Sequence, residues 1–298
     1  MGILDNIQPN SGPRALKVVI HGENGIGKTT FAASAPRPLI LAAEDGIGVL
    51  NAPMLRIRSA DDLQMALTEL VQGLHPGTGF RGGQRPFDTV VIDSLDALEA
   101  MIWKKVCETG RKQNIEDFGY GKGYTYALQK WAEIRDQLQA INDCGVHTVA
   151  VAQSNNKTNN DPVYGSYNRT ILRLHEKAAG LWRDWADIMG FATQRLVLKG
   201  DDKGAPRAVA MGDRVLEIGA SPAYWSKNRF NMPATLPLSW AAMEQNYLAA
   251  FQRTPQQSAS VQPAAPVQTY RVQPENSAPP PGGVQPVGGV QPFMNMRH

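Results

Sequence analysis

Eight consecutive residues carry the plainest chemistry in the chain. Gly22-Glu23-Asn24-Gly25-Ile26-Gly27-Lys28-Thr29 meets the pattern GxxxxGK[ST] in full, between an apolar run and a helical pattern that opens at Thr29 and Thr30. The glycines let backbone N–H groups turn inward without Cβ clashes, and the helix start adds partial positive charge. Lys28 then reaches the β and γ oxygens of ATP, and the Thr29 hydroxyl is a ligand for Mg2+.

A magnesium site of this kind needs a carboxylate at the end of a buried strand. Phe87-Asp88-Thr89-Val90-Val91-Ile92-Asp93-Ser94 offers Asp93, which would hold the ion through a water. The next residue is a serine rather than a glutamate, so the base that polarises the attacking water must come from elsewhere. Glu44 is the first candidate, ending the run Pro38–Ala43 on a strand expected to lie beside the phosphate strand. Asp45 is the fallback, and a merely solvated loop carboxylate remains an alternative. Gln153 ends a further apolar run, where a side-chain amide can sense the γ-phosphate.

These groups need a scaffold that brings strand ends together. Leu16–His21, Pro38–Ala43, Thr89–Asp93 and His147–Gln153 are short apolar runs without in–out alternation, as in parallel strands covered on both faces. Helical patterns lie between them. Leu63, Ala66, Leu67 and Leu70 follow Asp61 and Asp62, and Leu128, Trp131, Ile134, Leu138 and Ile141 form a second stripe. Trp182 and Trp185 are expected to pack a helix over Leu174–Trp185 onto the sheet. Strand–helix alternation predicts an α/β fold with a mostly parallel central sheet. After Ala186, Arg195–Lys199, Arg207–Met211 and Arg214–Ile218 read as three antiparallel strands, with Gly200–Gly204 as a turn. From Arg253 the chain is rich in Pro, Gln, Val, Ser, Ala and Gly, with Val-Gln-Pro recurring at Val261, Val272, Val284 and Val290. This composition predicts a disordered tail, either solubilising or docking a partner. The expected division is an extension over 1–14, a core over 15–250 and the tail over 251–298.

Bulk composition excludes little. Over 298 residues, 42% hydrophobic and 19% charged content is ordinary, and a net charge of +3 does not announce a nucleic-acid binder. Cys107 and Cys144 have no metal-ligand spacing and read as reduced thiols of a cytoplasmic protein. No apolar run reaches the roughly 18 residues of a membrane span, so no membrane association is expected.

A nucleic-acid contact is expected in the stretch Ser154–Arg173, read as a long polar loop. It holds Asn155, Asn156, Lys157, Tyr164, Tyr167, Arg169 and Arg173. Cations there can neutralise phosphates, and tyrosines can stack on unpaired bases at about 1–3 kcal/mol each. Gly110–Tyr126, with Arg111, Lys112, Tyr120, Lys122 and Tyr124, is a second candidate.

Together, GENGIGKTTFAASAPRPLILAAEDG, FDTVVIDSLDAL, VAVAQSNNKTNNDPVYGSYNRTILRLHEKAAGLWRDWADIMGFAT and WSKNRFNMPATLPL resemble the phage-encoded RecA-like ATPases of the Sak-four group. The likeness spans about residues 15 to 240. It implies a RecA-like P-loop NTPase core that binds single-stranded DNA, assembles as a filament or ring and promotes annealing or strand exchange in the host bacterial cytoplasm. It also implies that Lys227 and Arg229 reach the ATP of a neighbouring copy, and that the tail meets a single-strand-binding protein. The tail and the Gly-rich stretch Gly77–Arg85 depart from the family pattern. Two other readings stay open: a helicase or helicase loader, and a nucleotide-switched interaction protein.

Overall fold

The computed structural model describes residues 12–44, 52–75, 79–162, 165–200 and 206–252, apart from the side chains of 196–200 and 206–211. Chain contacts separate a unit Met1–Thr254 from Pro255–His298, and every described residue lies in the first. The tail from Arg253 with its repeat, residues 201–204 of the expected turn, Asp45 and Tyr164 lie outside the described residues, while 251 and 252 belong to the last helix.

Apolar runs become the strands of one sheet. In chain order the elements are β1 (Lys17–Gly22), α1 (Lys28–Ala33), β2 (Pro38–Ala42), β3 (Met54–Arg56), α2 (Ala60–Gly73), β4 (Leu74–His75) and β5 (Gly79–Phe80). Then come β6 (Thr89–Asp93), α3 (Leu95–Gly110), α4 (Lys122–Asp143), β7 (His147–Asp161), β8 (Gly165–Leu172) and α5 (Glu176–Trp185). The described part closes with β9 (Ile188–Gly200), β10 (Pro206–Glu217), β11 (Lys227–Asn228), β12 (Thr235–Pro237) and α6 (Trp240–Gln252). Spatially the strands run β12-β10-β9-β1-β7-β6-β2-β3. Those from β9 to β3 are parallel, while β10 and β12 add an antiparallel extension. This is an α/β arrangement with the phosphate strand in the middle of a mostly parallel sheet.

Alternate residues of β1 face opposite sides of the sheet, as the pleat requires. Val19 joins a core with α2, α3, α4 and α5, while Val18 and Ile20 join one with α1 and α6. The α4 stripe is buried at Trp131, Ile134, Leu138 and Ile141. Trp182 packs edge-on against Trp131 and Trp185, with ring centroids 5.5 and 5.4 Å apart. The two α5 tryptophans therefore lie in the core, as expected.

Three sequence expectations are corrected. The strand before Glu44 does not lie beside the phosphate strand, because β7 and β6 intervene. Both are apolar enough to fill central places, and chain order does not fix spatial order. Ser154–Arg173 is not a loop: β7 continues to Asp161, and β8 returns antiparallel in register from Asp161↔Gly165 to Ser154↔Leu172. Arg214–Ile218 is not a separate third strand but the end of β10. Its pairing with β9 slips between Ala210 and Arg214, beside Gly212 at φ 84°. In the Gly-rich stretch, β4 and β5 pair as a small antiparallel ribbon, with Phe80 against Phe87.

Candidate nucleotide site

Packing and turn geometry both select the glycines of the phosphate loop. A Cβ on Gly22 would lie 2.4 Å from the Ala192 carbonyl oxygen on β9. Gly25 and Gly27 have φ of 75° and 108°, a region that favours glycine. Lys28 is buried, and its Nζ donates to the Gly22 and Glu23 carbonyls at 3.1 and 2.8 Å. Burial lowers its pKa, while Asp93, Asp96 and Glu44 pull it back up. The ammonium is thus held inside the loop that would cradle phosphates.

The Thr29 hydroxyl donates to Asp93 Oδ2 at 2.6 Å. Burial raises the Asp93 pKa, the Thr29 hydrogen bond opposes this, and the Glu44 charge adds to the rise. A hydroxyl and a carboxylate in contact are hard oxygen donors that fit Mg2+. That ion, held by Thr29 and Asp93, would neutralise phosphate charge, while the loop amides and Lys28 would hold the phosphate chain.

Ser94 explains how Glu44 joins them from β2. It is the N-cap of α3, accepting from the Ala97 N–H, and its hydroxyl donates to Glu44 Oε1. The Ala43 N–H also donates to the Asp93 carbonyl at 2.7 Å. Neighbouring parallel strands lie about 5 Å apart, so one strand separation brings Glu44 to Asp93. It reaches the site through β6, not from beside β1.

Gln153 pairs directly with Gly22 in the β1–β7 register. Its N–H donates to Asp96 Oδ1 at 2.9 Å, and its carbonyl accepts the Arg173 N–H at 2.8 Å. Arg173 Nη2 donates to the other Asp96 oxygen at 2.7 Å, where the Asp96 side chain is only 6% exposed. His21, one residue before the loop, is buried between Ser154 Oγ and the Trp225 carbonyl, each at 2.8 Å. Burial pushes its pKa down to about 4, so the ring is neutral near pH 7. Two fixed contacts therefore join the phosphate strand and α3 to the foot of the β7–β8 arm.

On that arm, cross-strand partners share a face. Asn155, Lys157 and Asn159 lie opposite Ile171, Arg169 and Tyr167. Tyr167 Oη accepts from Asn159 Nδ2 and Arg169 Nη2 at 2.8 and 2.7 Å, and Arg169 Nε donates to the Pro222 carbonyl at 2.7 Å. Lys157 pairs with Glu176 at 2.9 Å. The other face is neutral: Thr158 donates to Asn168, Ser166 to Asn160 and Thr170 to Asn156. The structure thus brings Asn155, Lys157, Tyr167 and Arg169 onto one face. Arg173 departs from the expected set, standing at the arm's foot on Asp96.

Lys227 and Arg229 are not brought to the phosphate loop of their own chain. β11 pairs with the start of β9 at Met189, whereas Gly22 meets β9 at Ala192. Lys227 Nζ donates to the Arg183 and Asp184 carbonyls at 2.9 and 2.7 Å, at the end of α5. Arg229 Nη1 pairs at 3.1 Å with Asp187, a fully buried carboxylate that Arg14 also meets at 3.0 Å. In the Gly110–Tyr126 stretch, Arg111 caps α3 at φ 51°, a short 3-10 turn spans Ile115–Phe118, and α4 begins. Tyr124 there stacks on His175 at 4.3 Å.

Sequence reading missed Asp96 and the bridging role of Ser94. The Asp93–Asp96 spacing was the available signal, since a carboxylate in the first turn of α3 points back to the strand ends.

The model of a family described as "AAA domain" matches residues 14–230. A Bacillus subtilis (strain 168) protein described as SPbeta prophage-derived uncharacterized protein YorG is 25% identical over 120 residues. That alignment covers 39% of this chain and 35% of the relative, so the chain matches about a third of the relative's length. Among solved structures, flagellar accessory protein FlaH from Methanocaldococcus jannaschii is similar at a TM-score of 0.39 and 11% identity. The match covers 76% of this chain and 85% of that one. No helix among the described residues is long and apolar enough to cross a membrane.

Proposed function

We propose that this chain, which belongs to the AAA domain family, is a Mg2+-dependent ATPase whose nucleotide state governs a single-stranded-DNA-binding arm. Its role would be strand annealing or exchange, in assemblies of several copies. Lys28 holds the phosphate chain, and Thr29 and Asp93 hold the ion. Glu44, aimed by Ser94, takes the proton of the attacking water. Such general-base catalysis contributes about 10²–10⁴ in rate. Lys157 and Arg169 meet backbone phosphates and Tyr167 offers a stacking surface.

One observation carries the reading. A single strand, β7, runs from Gln153 beside Gly22 into the arm with Lys157. A displacement sensed at Gln153 would therefore be passed along the same strand that bears the arm.

The test is ATP turnover with and without single-stranded DNA. Wild type should hydrolyse ATP and respond to DNA. Glu44→Gln should bind nucleotide yet turn over at least about a hundredfold more slowly. Lys157→Ala with Arg169→Ala should keep basal turnover and lose the response. A wild-type rate indifferent to DNA at every length tried would overturn the DNA half of the reading. Turnover retained in Glu44→Gln would overturn its role as base.

A further inference from the structure

The phosphate loop has a second cationic neighbour in its own chain. Arg214 lies near the end of β10, and its Nη1 is 3.1 Å from where a Cβ on Gly27 would sit, with its Cδ at 4.0 Å. Gly27 directly precedes Lys28, and its backbone belongs to the expected cradle.

Three further observations bear on why an arginine stands there. The β9–β10 ladder slips between Ala210 and Arg214, with Gly212 at φ 84° inside the slip. Irregularities of this kind re-aim a side chain and recur beside active sites. Arg214 is exposed, and its guanidinium has no hydrogen-bond or ion-pair partner among the described residues. By contrast, Arg173 and Arg229 are each tied to a buried carboxylate. Finally, the backbone of Arg214 is held: its carbonyl accepts the Leu238 N–H at 3.0 Å, and Leu238 Cδ2 is 3.6 Å from the same Gly27 position. The strand fixes the root of the arginine at the loop, and among the described residues its charged end is unengaged.

We infer that Arg214 is a phosphate-binding residue of the nucleotide site, acting from the same chain as Lys28 and clamping the phosphate chain from the β10 side. The inference rests on the proposed nucleotide site and adds a residue to it. A guanidinium presents several N–H donors in a planar fork suited to phosphate oxygens, and charge-assisted hydrogen bonds of this kind are the stronger class. Gly27 has a second role on this view, because any side chain there would occupy the space beside the guanidinium.

The experiment is equilibrium titration of the full chain with a fluorescent ATP analogue and its ADP counterpart in Mg2+. Wild type, Lys28→Ala, Arg214→Ala, Arg214→Lys and Asp213→Ala are compared, with thermal melting of each variant to confirm folding. Arg214→Ala should weaken binding of both nucleotides about tenfold, and the salt dependence of log Kd should become shallower. Arg214→Lys should recover part of the loss, and Asp213→Ala should match wild type. A folded Arg214→Ala protein with wild-type Kd and salt slope would overturn the inference and leave the site standing, provided Lys28→Ala has lost binding. Wild type that binds no better than Lys28→Ala would instead sink the nucleotide site itself. Equal losses in Arg214→Ala and Asp213→Ala would also overturn the inference, because they would report a disturbed strand rather than a lost charge.

Discussion

Replacing Asp96 tests whether the nucleotide site and the arm are mechanically joined. Its carboxylate is nearly inaccessible and accepts from the Gln153 N–H at 2.9 Å and from Arg173 Nη2 at 2.7 Å. Asp96→Ala leaves a part-buried backbone donor unpaired, which costs about 1–3 kcal/mol. Arg173 is half exposed, so water replaces its lost partner and this adds at most about 1 kcal/mol. The expected total is about 2 kcal/mol. Asp96→Asn keeps an acceptor for the Gln153 N–H and should cost about 0.5–1 kcal/mol. Urea unfolding at constant m-value measures both. In a double-mutant cycle, Asp96→Ala with Arg173→Ala should couple by about 0.5–1 kcal/mol. The functional readout is the ratio of DNA-stimulated to basal turnover, which Asp96→Asn should lower while basal turnover stays near wild type. Equal costs for Ala and Asn, or no coupling with Arg173, would refute the reasoning, since the shared carboxylate would then hold nothing together.

Other expectations follow from single contacts. Burial pushes the Glu99 pKa up to about 7, against hydrogen bonding from the His175 N–H. A folded-state pKa above the unfolded value means that the native state binds the extra proton. This contribution to stability is complete below about pH 4.5 and is lost as pH rises through about 7. Glu99→Gln should therefore flatten the pH dependence of the melting temperature between those limits. His21 has the opposite sign: its neutral native ring contributes stability above about pH 6.5 that is lost as pH falls through about 4, and His21→Gln should reduce that acid sensitivity. Trp182→Ala removes a fully buried ring wedged between two others and should cost about 3–5 kcal/mol by chemical denaturation.

Range of interaction separates what was readable in the sequence from what was not. Thr89–Asp93 is a run of buried residues flanked by punctuation, and its strand limits coincide with those read from the sequence. The α2 and α4 stripes were legible for the same reason, because their burial repeats every three or four residues. The arm escaped notice because both its faces are polar. Alternation carries a signal only when one face is apolar, and Asn is depleted in strands. Its pairing is stabilised instead by cross-strand contacts such as Thr158 with Asn168 and Ser166 with Asn160, which no local window contains. Arg214 was unreadable for a related cause, since its position depends on the slip in the β9–β10 ladder.

Glu44 meets Ser94 although its strand lies elsewhere in the sheet than the sequence suggested. In a parallel sheet the ends of successive strands share one edge, and ligands bind outside that edge. Residues ending β2, β6 and β7 therefore share the edge that carries the phosphate loop. Strand order decides how far each lies from that loop, at about 5 Å per strand, and which neighbour it meets. Beside β1, Glu44 would have faced Lys28 directly; beside β6 it meets Ser94 and the field of Asp93 instead. That distinction has a consequence. In its proposed role as base, Glu44 depends on the serine hydroxyl that also caps α3, so Ser94→Ala should slow turnover with little change in nucleotide affinity. Ser94→Thr, which keeps the hydroxyl, should recover part of the rate. If Ser94→Ala hydrolysed ATP at the wild-type rate, the orientation of Glu44 would have to come from elsewhere.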